Sequence, residues 1–368
     1  GLLEDEPRFD YSGGATCPSL LLEPSRTNLA PYSEYIEGLA LTDLTPTPNA
    51  TISPEGLQNA YKVLTGTAGS EQIAAADTST TGNVKTQSVY IKEDSGVQWI
   101  RLIQLRSGFS NSASTWFDIQ NGVKGSKEQN GTTSVVDDAT KIEDAGNGWY
   151  RLTLVCTDST NNTNFDTRVR TAIANGSGTR VSNGSYFVWG YQMESDASYR
   201  TSYIPNHSGG SVTRGADDID KLTGVGVTGD EFTIFLELDL SDTPLVSNVG
   251  TYFQTFDASN NSQQEFRFFT SNGEQVLVPY FRQDGAYSFG NGGNAVRFDG
   301  KILFRSDGGG NYAMFFGFNG SSTKEVRTGL TAYTLNKIDF ISQPKTNLKQ
   351  LLIFNEALSD ADCTTLTT

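Results

Sequence analysis

Five apolar residues fall at every second position of one short stretch: Phe232, Ile234, Leu236, Leu238 and Leu240, within residues 231–240. A repeat of two puts all five on one face of a β-strand and leaves Glu237 and Asp239 on the other. A helix would scatter them around its surface. The stretch therefore predicts a strand with one face in a core and one toward solvent.

Comparable signals recur along the chain. Residues 85–91 alternate in polarity and run into Glu93-Asp-Ser-Gly96, a turn sequence. Residues 99–105 put Trp99, Arg101, Ile103 and Leu105 on one face, and Ile100, Leu102 and Gln104 on the other. Residues 148–156 and 185–193 are the clearest strands of the first half. Residues 251–256, 265–269, 275–278, 311–318 and 348–354 continue the pattern in the second. The connections are rich in Gly, Asn and Ser, and the chain holds 38 glycines. Aromatic residues at 11% argue against disorder even though the hydrophobic share is only 36%. Ser359 and Asp362 form a near capping box that predicts a short terminal helix within residues 357–366.

The fold class that follows is all-β: two tandem antiparallel β-sandwich (jelly-roll) domains with an extended N-terminal lead-in. Residues 1–30 form the lead-in, 31–205 the first β domain, 206–220 a Gly/Ser-rich linker and 221–368 the second β domain. Within the lead-in, Leu20-Leu-Leu22 is too short for a helix between Pro18 and Pro24. It reads as an extended apolar strand that seals a neighbouring domain or subunit.

Charge and cysteine usage exclude several function classes. Lys and Arg total 27 against 42 Asp and Glu, a net charge of -15, which lacks the basic footprint of a nucleic-acid binder. No apolar run approaches the roughly 20 residues of a membrane helix, so no membrane insertion is expected. Cys17, Cys156 and Cys363 are odd in number and far apart. They predict buried or incidental thiols rather than a disulfide framework or metal knuckle.

Each candidate site has a plain alternative. Glu237, Asp239 and Asp242 follow the spacing E-x-D-x-x-D, close to the Glu-x-Asp-x-x-Glu row of jelly-roll glucanases. The last member is the shorter Asp and sits in a turn sequence, so a solvated strand face is expected instead of catalysis. The single histidine, His207, rules out two-His metal motifs and argues against a Ser-His-Asp triad. It reads as an exposed linker residue. Asp217, Asp218 and Asp220 could offer oxygens to Ca²⁺, but solvated linker charge is the expectation. Trp149 and Trp189 sit in well-patterned strands and are expected in the core. Trp116, Tyr252, Tyr280, Tyr287 and Tyr312 are better candidates for sugar stacking, and the sequence does not choose among them. The triplets Asn49-Ala-Thr51 and Asn319-Gly-Ser321 arise readily by chance in so Asn-, Ser- and Thr-rich a chain. No catalytic, cofactor-binding or metal-binding residue is assigned, and no cofactor is expected.

The segments Arg8-Phe-Asp-Tyr11, Cys17-Pro-Ser-Leu-Leu-Leu-Glu-Pro24 and Arg26-Thr-Asn-Leu29 resemble the opening of a family of bacteriophage and prophage virion proteins, chiefly tail- and head-fibre-like. Gly148-Trp-Tyr-Arg151, Val188-Trp-Gly-Tyr-Gln192 and Thr201-Ser-Tyr-Ile-Pro205 resemble carbohydrate-binding-module-like jelly rolls, and Ser211-Val-Thr-Arg-Gly-Ala-Asp217 the linker that follows them. The strand at 348–354 and the Ala357-Leu-Ser-Asp360 that follows resemble the end of laminin-G/concanavalin A-like domains. The resemblance implies a virion structural protein, the distal part of a longer fibre or appendage, that binds host-surface glycans for attachment. It further implies a homotrimer joined to other virion proteins through its N-terminal side, made in the bacterial cytoplasm and carried on the particle. It supplies no active-site positions. Two other readings stay open: a purely architectural capsid or tail decoration protein, and a polysaccharide depolymerase or lyase.

Overall fold

The structure is a computed structural model that describes residues 9–10, 19–77, 82–160, 163–217, 222–223, 225–239, 250–259, 262–271, 274–283, 286–289, 296–297, 299–340 and 346–368. Strands make up 54% of the chain, with one α-helix among the described residues, so the all-β expectation holds. The chain divides into two compact units, one of residues 26–214 and one of residues 1–25 with 215–368. Each is an antiparallel β-sandwich.

In the first sandwich one sheet runs Val123–Asn130, Asn111–Asp118, Trp99–Ser107, Phe165–Ala172, Gln72–Asp77 and Ala40–Thr42. The other runs Thr133–Val135, Trp149–Asp158, Val84–Ser95, Ser185–Ser195, Ala60–Thr65 and Leu44–Thr51, with Lys141–Asp144 also paired to Trp149–Asp158. Ile100, Leu102, Phe117 and Val169 of the first sheet meet Val89, Ile91, Leu152 and Val188 of the second in one core. Burying each such side chain contributes about 1.5–3 kcal/mol. The strand Leu44–Thr51 carries Pro46 and Pro48 and pairs on one side only, as residues that cannot donate to a ladder require. The strand Val84–Ser95 continues through the predicted turn at 93–96, and the chain bends only at Gly96, whose φ is 69°.

Of the segments that carry the resemblances, Arg26–Leu29 and Thr201–Pro205 meet inside this sandwich. Asn28 is fully buried, and its amide satisfies four main-chain groups. Nδ2 donates to Tyr191 O at 3.2 Å and Ile204 O at 2.9 Å, while Oδ1 accepts from Ala30 N and Met193 N, each at 3.0 Å. Asn206 repeats the device, donating to Ala30 O and Gly210 O. Thr201 binds the buried Glu194 carboxylate, and Ile204 N donates to Gln192 Oε1. Residues 206–214, read from composition as the start of a linker, are thus tied into the first sandwich, and Val212–Arg214 pairs with Arg26–Asn28. Glycine and serine content signals a boundary only where side chains elsewhere leave the backbone unclaimed; here two buried asparagines claim it.

In the second sandwich one sheet runs Phe9–Asp10, Ser19–Leu22, Thr346–Phe354, Glu231–Asp239, Lys301–Asp307, Tyr312–Phe318 and Ser321–Arg327. The other runs Leu222–Thr223, Lys337–Phe340, Gly250–Phe256, Ser262–Ser271, Glu274–Gln283 and Ala286–Phe289, with Val296–Arg297 also paired to Glu274–Gln283. Phe232, Ile234, Leu236 and Leu238 enter the core as their alternation predicts, against Phe253, Ile338 and Phe340; Leu240 lies outside the described residues. The lead-in strand is extended, as expected, and its partner comes from the far end of the chain. Leu20 pairs with Leu348 and Leu22 with Thr346, and Leu22 is 2% exposed in this core. The terminal helix Asp360–Thr367 is capped by Ser359, whose Oγ accepts from Asp362 N. Cys363 of the helix packs with Phe235, Leu303 and Phe315, covering part of the sheet's outer face. That cover explains why Phe235, on the face read as solvent-exposed, is buried.

The first core also holds cations. Lys85 and Arg106 are buried against the Phe165 ring, 5.5 and 5.0 Å from its centroid. Burial, and then the neighbouring Arg106 charge, lower the Lys85 ammonium from 10.5 to about 8, against the opposing pull of Asp158, Asp77 and Asp196. A depressed ammonium means that between about pH 8 and 10.5 the unfolded chain holds the proton that the folded chain has released. The Lys85 contribution to stability therefore rises with pH across that window. Comparing denaturation midpoints of wild type and Lys85→Met at pH 7.5 and pH 10 should show that rise in the wild type alone. Asn28→Ala removes the acceptor of two buried N–H groups and should cost about 3 kcal/mol or more in urea unfolding, against about 0.5 kcal/mol for an exposed substitution.

Candidate functional site

The outer face of the six-stranded sheet of the first sandwich gathers positive charge in an acidic chain. Arg168 and Arg170 are two apart on the strand Phe165–Ala172 and so share a face. Register sets Arg170 directly opposite Arg101 on Trp99–Ser107. Arg180, from the connection that follows, reaches the same region, donating to Glu71 O at 3.1 Å. Like charges placed directly across a ladder are destabilising.

The counter-charges are unevenly distributed. Arg101 meets Glu128 at 2.7 Å and Arg168 meets Asp166 at 2.9 Å. Arg180 lies 4.0 Å from the buried Glu71 carboxylate, which also accepts from Thr171 Oγ1 at 2.7 Å. Arg170 donates from Nε and Nη2 to Gln72 Oε1, a neutral amide that also accepts from Arg168. Burial, followed by the charges of Arg180, Arg168 and Arg101, lowers Arg170 to about 10. Phe109, at the hairpin between two of these strands, is 51% exposed and lies 5.2 Å from the Arg168 guanidinium and 5.1 Å from that of Arg170.

The strand that carries Arg168 and Arg170 leads into a shallow groove of about 460 Å³. It is lined by Gln98, Gln120, Ala172, Ile173, Val181 and Ser182, with Gly96 also contributing to its wall. Gln98 Nε2 donates to Asp118 Oδ2 at 2.8 Å, and Asp118 also accepts from the main chain of Gln120 and Asn121. Gln120 Nε2 reaches Glu93 Oε1 at 3.2 Å. These bonds hold both amides in place, while Ile173 stands 60% exposed beside them. Preset amides beside an exposed apolar side chain suit a ligand with hydroxyls and a hydrocarbon face.

The residues singled out from sequence fall elsewhere. Trp149 and Trp189 are core residues: Trp149 Nε1 donates to Ile52 O, and Trp189 packs on Tyr203 at 4.5 Å. Gly190 has a φ of 64°, and a Cβ there would meet Tyr90 at 3.0 Å, so the glycine of Val188-Trp-Gly-Tyr-Gln192 permits that packing. Trp116 is 2% exposed, between the Arg101 guanidinium and Ser177 O, and offers no stacking surface. Tyr312, named as a stacking candidate, is buried against Phe304 with its hydroxyl donating to Thr331 O. Both faces of Tyr312–Phe318 are covered, which erases the alternation a half-exposed strand would show. The side chains of Tyr252, Tyr280 and Tyr287 lie outside the described residues.

Glu237 and Asp239 are half-buried on the outer face of their sheet, with Asp239 3.7 Å from Lys349; Asp242 lies outside the described residues. His207 is exposed, edge-on to Tyr35 and 3.8 Å from Glu34. Asp217 Oδ2 accepts from Glu23 N, while Asp218 and Asp220 lie outside the described residues. Among the described residues no group of three or more His, Cys, Asp or Glu is placed to hold a metal ion. Cys156 and Cys363 are buried free thiols, Cys156 pushed up to about 12 by burial; Cys17 lies outside the described residues. Asn319-Gly320 forms the tight positive-φ turn between two strands, a structural reason for that triplet.

Sequence reasoning put Arg101 on the face opposite Ile100 and Leu102 but missed the arginine cluster. The alternation in Arg168-Val-Arg170 was the available signal; the register that adds Arg101 and the path that brings Arg180 were not readable.

No known protein family matches the chain, and no curated protein sequence matches it. Among solved structures, the botulinum neurotoxin serotype C1 binding domain aligns over 94% of each chain at 8% identity, with a TM-score of 0.23. Mouse laminin alpha1 chain domains LG4-5 align over 97% of this chain and 96% of theirs at 9% identity, with a TM-score of 0.18. Likeness at that level carries no argument; the sandwich assignment rests on the strand pairing itself.

An under-neutralised guanidinium among three others has a consequence for stability. Arg170→Met keeps the apolar stem and removes the repulsion, and such replacements are commonly neutral or stabilising. At low ionic strength its denaturation midpoint should equal or exceed that of the wild type. Any gain, of about 1 kcal/mol, should shrink in 0.5 M salt as the repulsion is screened.

Proposed function

We propose that this chain is a non-enzymatic structural component of a bacteriophage particle, part of a fibre or related appendage, and that its first sandwich holds host-surface glycans for attachment. The groove bordered by Gln98, Gln120 and Ile173 carries the binding part of this reading. Its amides are positioned before any ligand arrives, so little side-chain order is lost on binding. A shallow groove gives weak binding per copy. Several copies on one appendage, a homotrimer in this reading, convert weak contacts into firm attachment through effective concentration. The particle assignment is supported by the resemblance of the segments from Arg8 to Leu29 to the opening of virion proteins.

One observation favours the architectural reading. The motif residues Asn28, Thr201 and Ile204 are spent on internal hydrogen bonds, so the motif itself marks a scaffold rather than a ligand site.

The discriminating measurement is a glycan array probed with the full chain displayed as a streptavidin tetramer. Binding that is lost in Gln98→Ala/Gln120→Ala supports the adhesin; no signal at high valency supports pure architecture. Glu237→Ala should leave array binding unchanged and alter no glycan-cleaving activity. Antibody labelling of particles should place the chain on an appendage, and its absence from particles would overturn the virion assignment.

A further inference from the structure

We propose that the arginine-bearing outer sheet face of the first sandwich selects acidic polysaccharides, taking the carboxylates of uronate-type sugars on Arg168, Arg170 and Arg101 beside the Phe109 ring. This rests on the glycan-binding reading and names the class of glycan.

Three observations carry it. The first is a cost without an internal return. Arg101 and Arg170 stand directly opposite each other, Arg168 and Arg180 flank them, and the acceptor of Arg170 is the neutral Gln72 amide. Glu128, Asp166 and Glu71 answer Arg101, Arg168 and Arg180, so the shortfall is one carboxylate, at Arg170, which is 9% exposed. A ligand carboxylate supplies what is missing, and a guanidinium fork binds a carboxylate through two parallel hydrogen bonds.

The second is the aromatic ring. Phe109 is exposed on a hairpin and touches both Arg168 and Arg170. It fixes the two guanidinium planes and presents an apolar surface within reach of the same ligand, suited to the C–H face of a pyranose.

The third is the mixed polarity of the face. Asp166 and Glu128 stay half-exposed among the arginines, at 32% and 48%. They accept hydrogen bonds from sugar hydroxyls. A uronate ring brings hydroxyl donors for these carboxylates together with its own carboxylate for the arginines; single-stranded DNA brings phosphates without those ring hydroxyls.

The test uses the full chain as a streptavidin tetramer on surfaces coated with polygalacturonate, with its methyl ester, or with single-stranded DNA. Binding to polygalacturonate should exceed that to the methyl ester by about tenfold or more, the value of one charge-assisted pair, and should weaken between 50 and 500 mM salt as screening increases (about 10 Å Debye length at 0.1 M). Arg170→Met and Arg168→Gln should each lower polygalacturonate binding about tenfold. Phe109→Ala, at an exposed position that threatens folding least, should lower binding to the acid polymer as well. Equal binding to acid and ester that survives the arginine changes but fails in Gln98→Ala/Gln120→Ala overturns the charge selectivity and leaves the glycan reading standing. Binding to neither polymer, with no signal on the glycan array, overturns both. DNA binding as strong as polygalacturonate binding shows plain ion exchange and also sinks the proposal.

Discussion

The Asn28 side chain is the fixed point of the first sandwich. A buried primary amide has two donors and one two-lone-pair acceptor, and here all four are used on main-chain groups: Tyr191 and Met193 of one strand, Ile204 and Ala30. It links the chain entering the sandwich to the strand Ser185–Ser195 and to the segment leaving it. No other side chain has the shape to do this: Asp lacks the donors, and an apolar residue would leave four main-chain groups unpaired in a dry interior. The tie also holds residues 201–206 in place over the face that carries Trp189, so the aromatic packing of Trp189 on Tyr203 follows from it.

With one outer face of the sandwich covered in this way, the other is left to do something else. On the six-stranded sheet the strand order brings Arg101 beside Arg170, and the hairpin sets the Phe109 ring against Arg168 and Arg170. Stability would favour a different side chain at position 170. A fold held together elsewhere, by its apolar core and by the two asparagine ties, can tolerate such a local conflict. Conflicts of that kind concentrate where a surface meets a ligand.

The second sandwich solves a different problem. Its sheet is completed by Ser19–Leu22 from one end of the sequence and Thr346–Phe354 from the other, with Leu22 in the core. Bringing such distant segments together costs loop-closure entropy that the finished pairing has to offset. The terminal helix then caps the outer face through Cys363, so both faces of the central strands are apolar. That double cover is why Tyr312, on a strand of seven residues without alternation, turns inward rather than standing free for a ligand.

The sequence by itself determined the β class, the position of most strands, the terminal helix and the core role of Trp149 and Trp189, because a repeat of two and a turn residue are local properties. It determined that Leu20-Leu-Leu22 is extended, because two prolines leave no other choice. Only the tertiary structure decided which sheet that strand joins, that residues 206–214 belong to the first sandwich, that Trp116 and Tyr312 are buried, and that four arginines share one face. Those outcomes depend on register and on which surfaces come to cover one another. Register joins residues distant in sequence, and the cover over a strand is supplied by segments its own pattern does not encode.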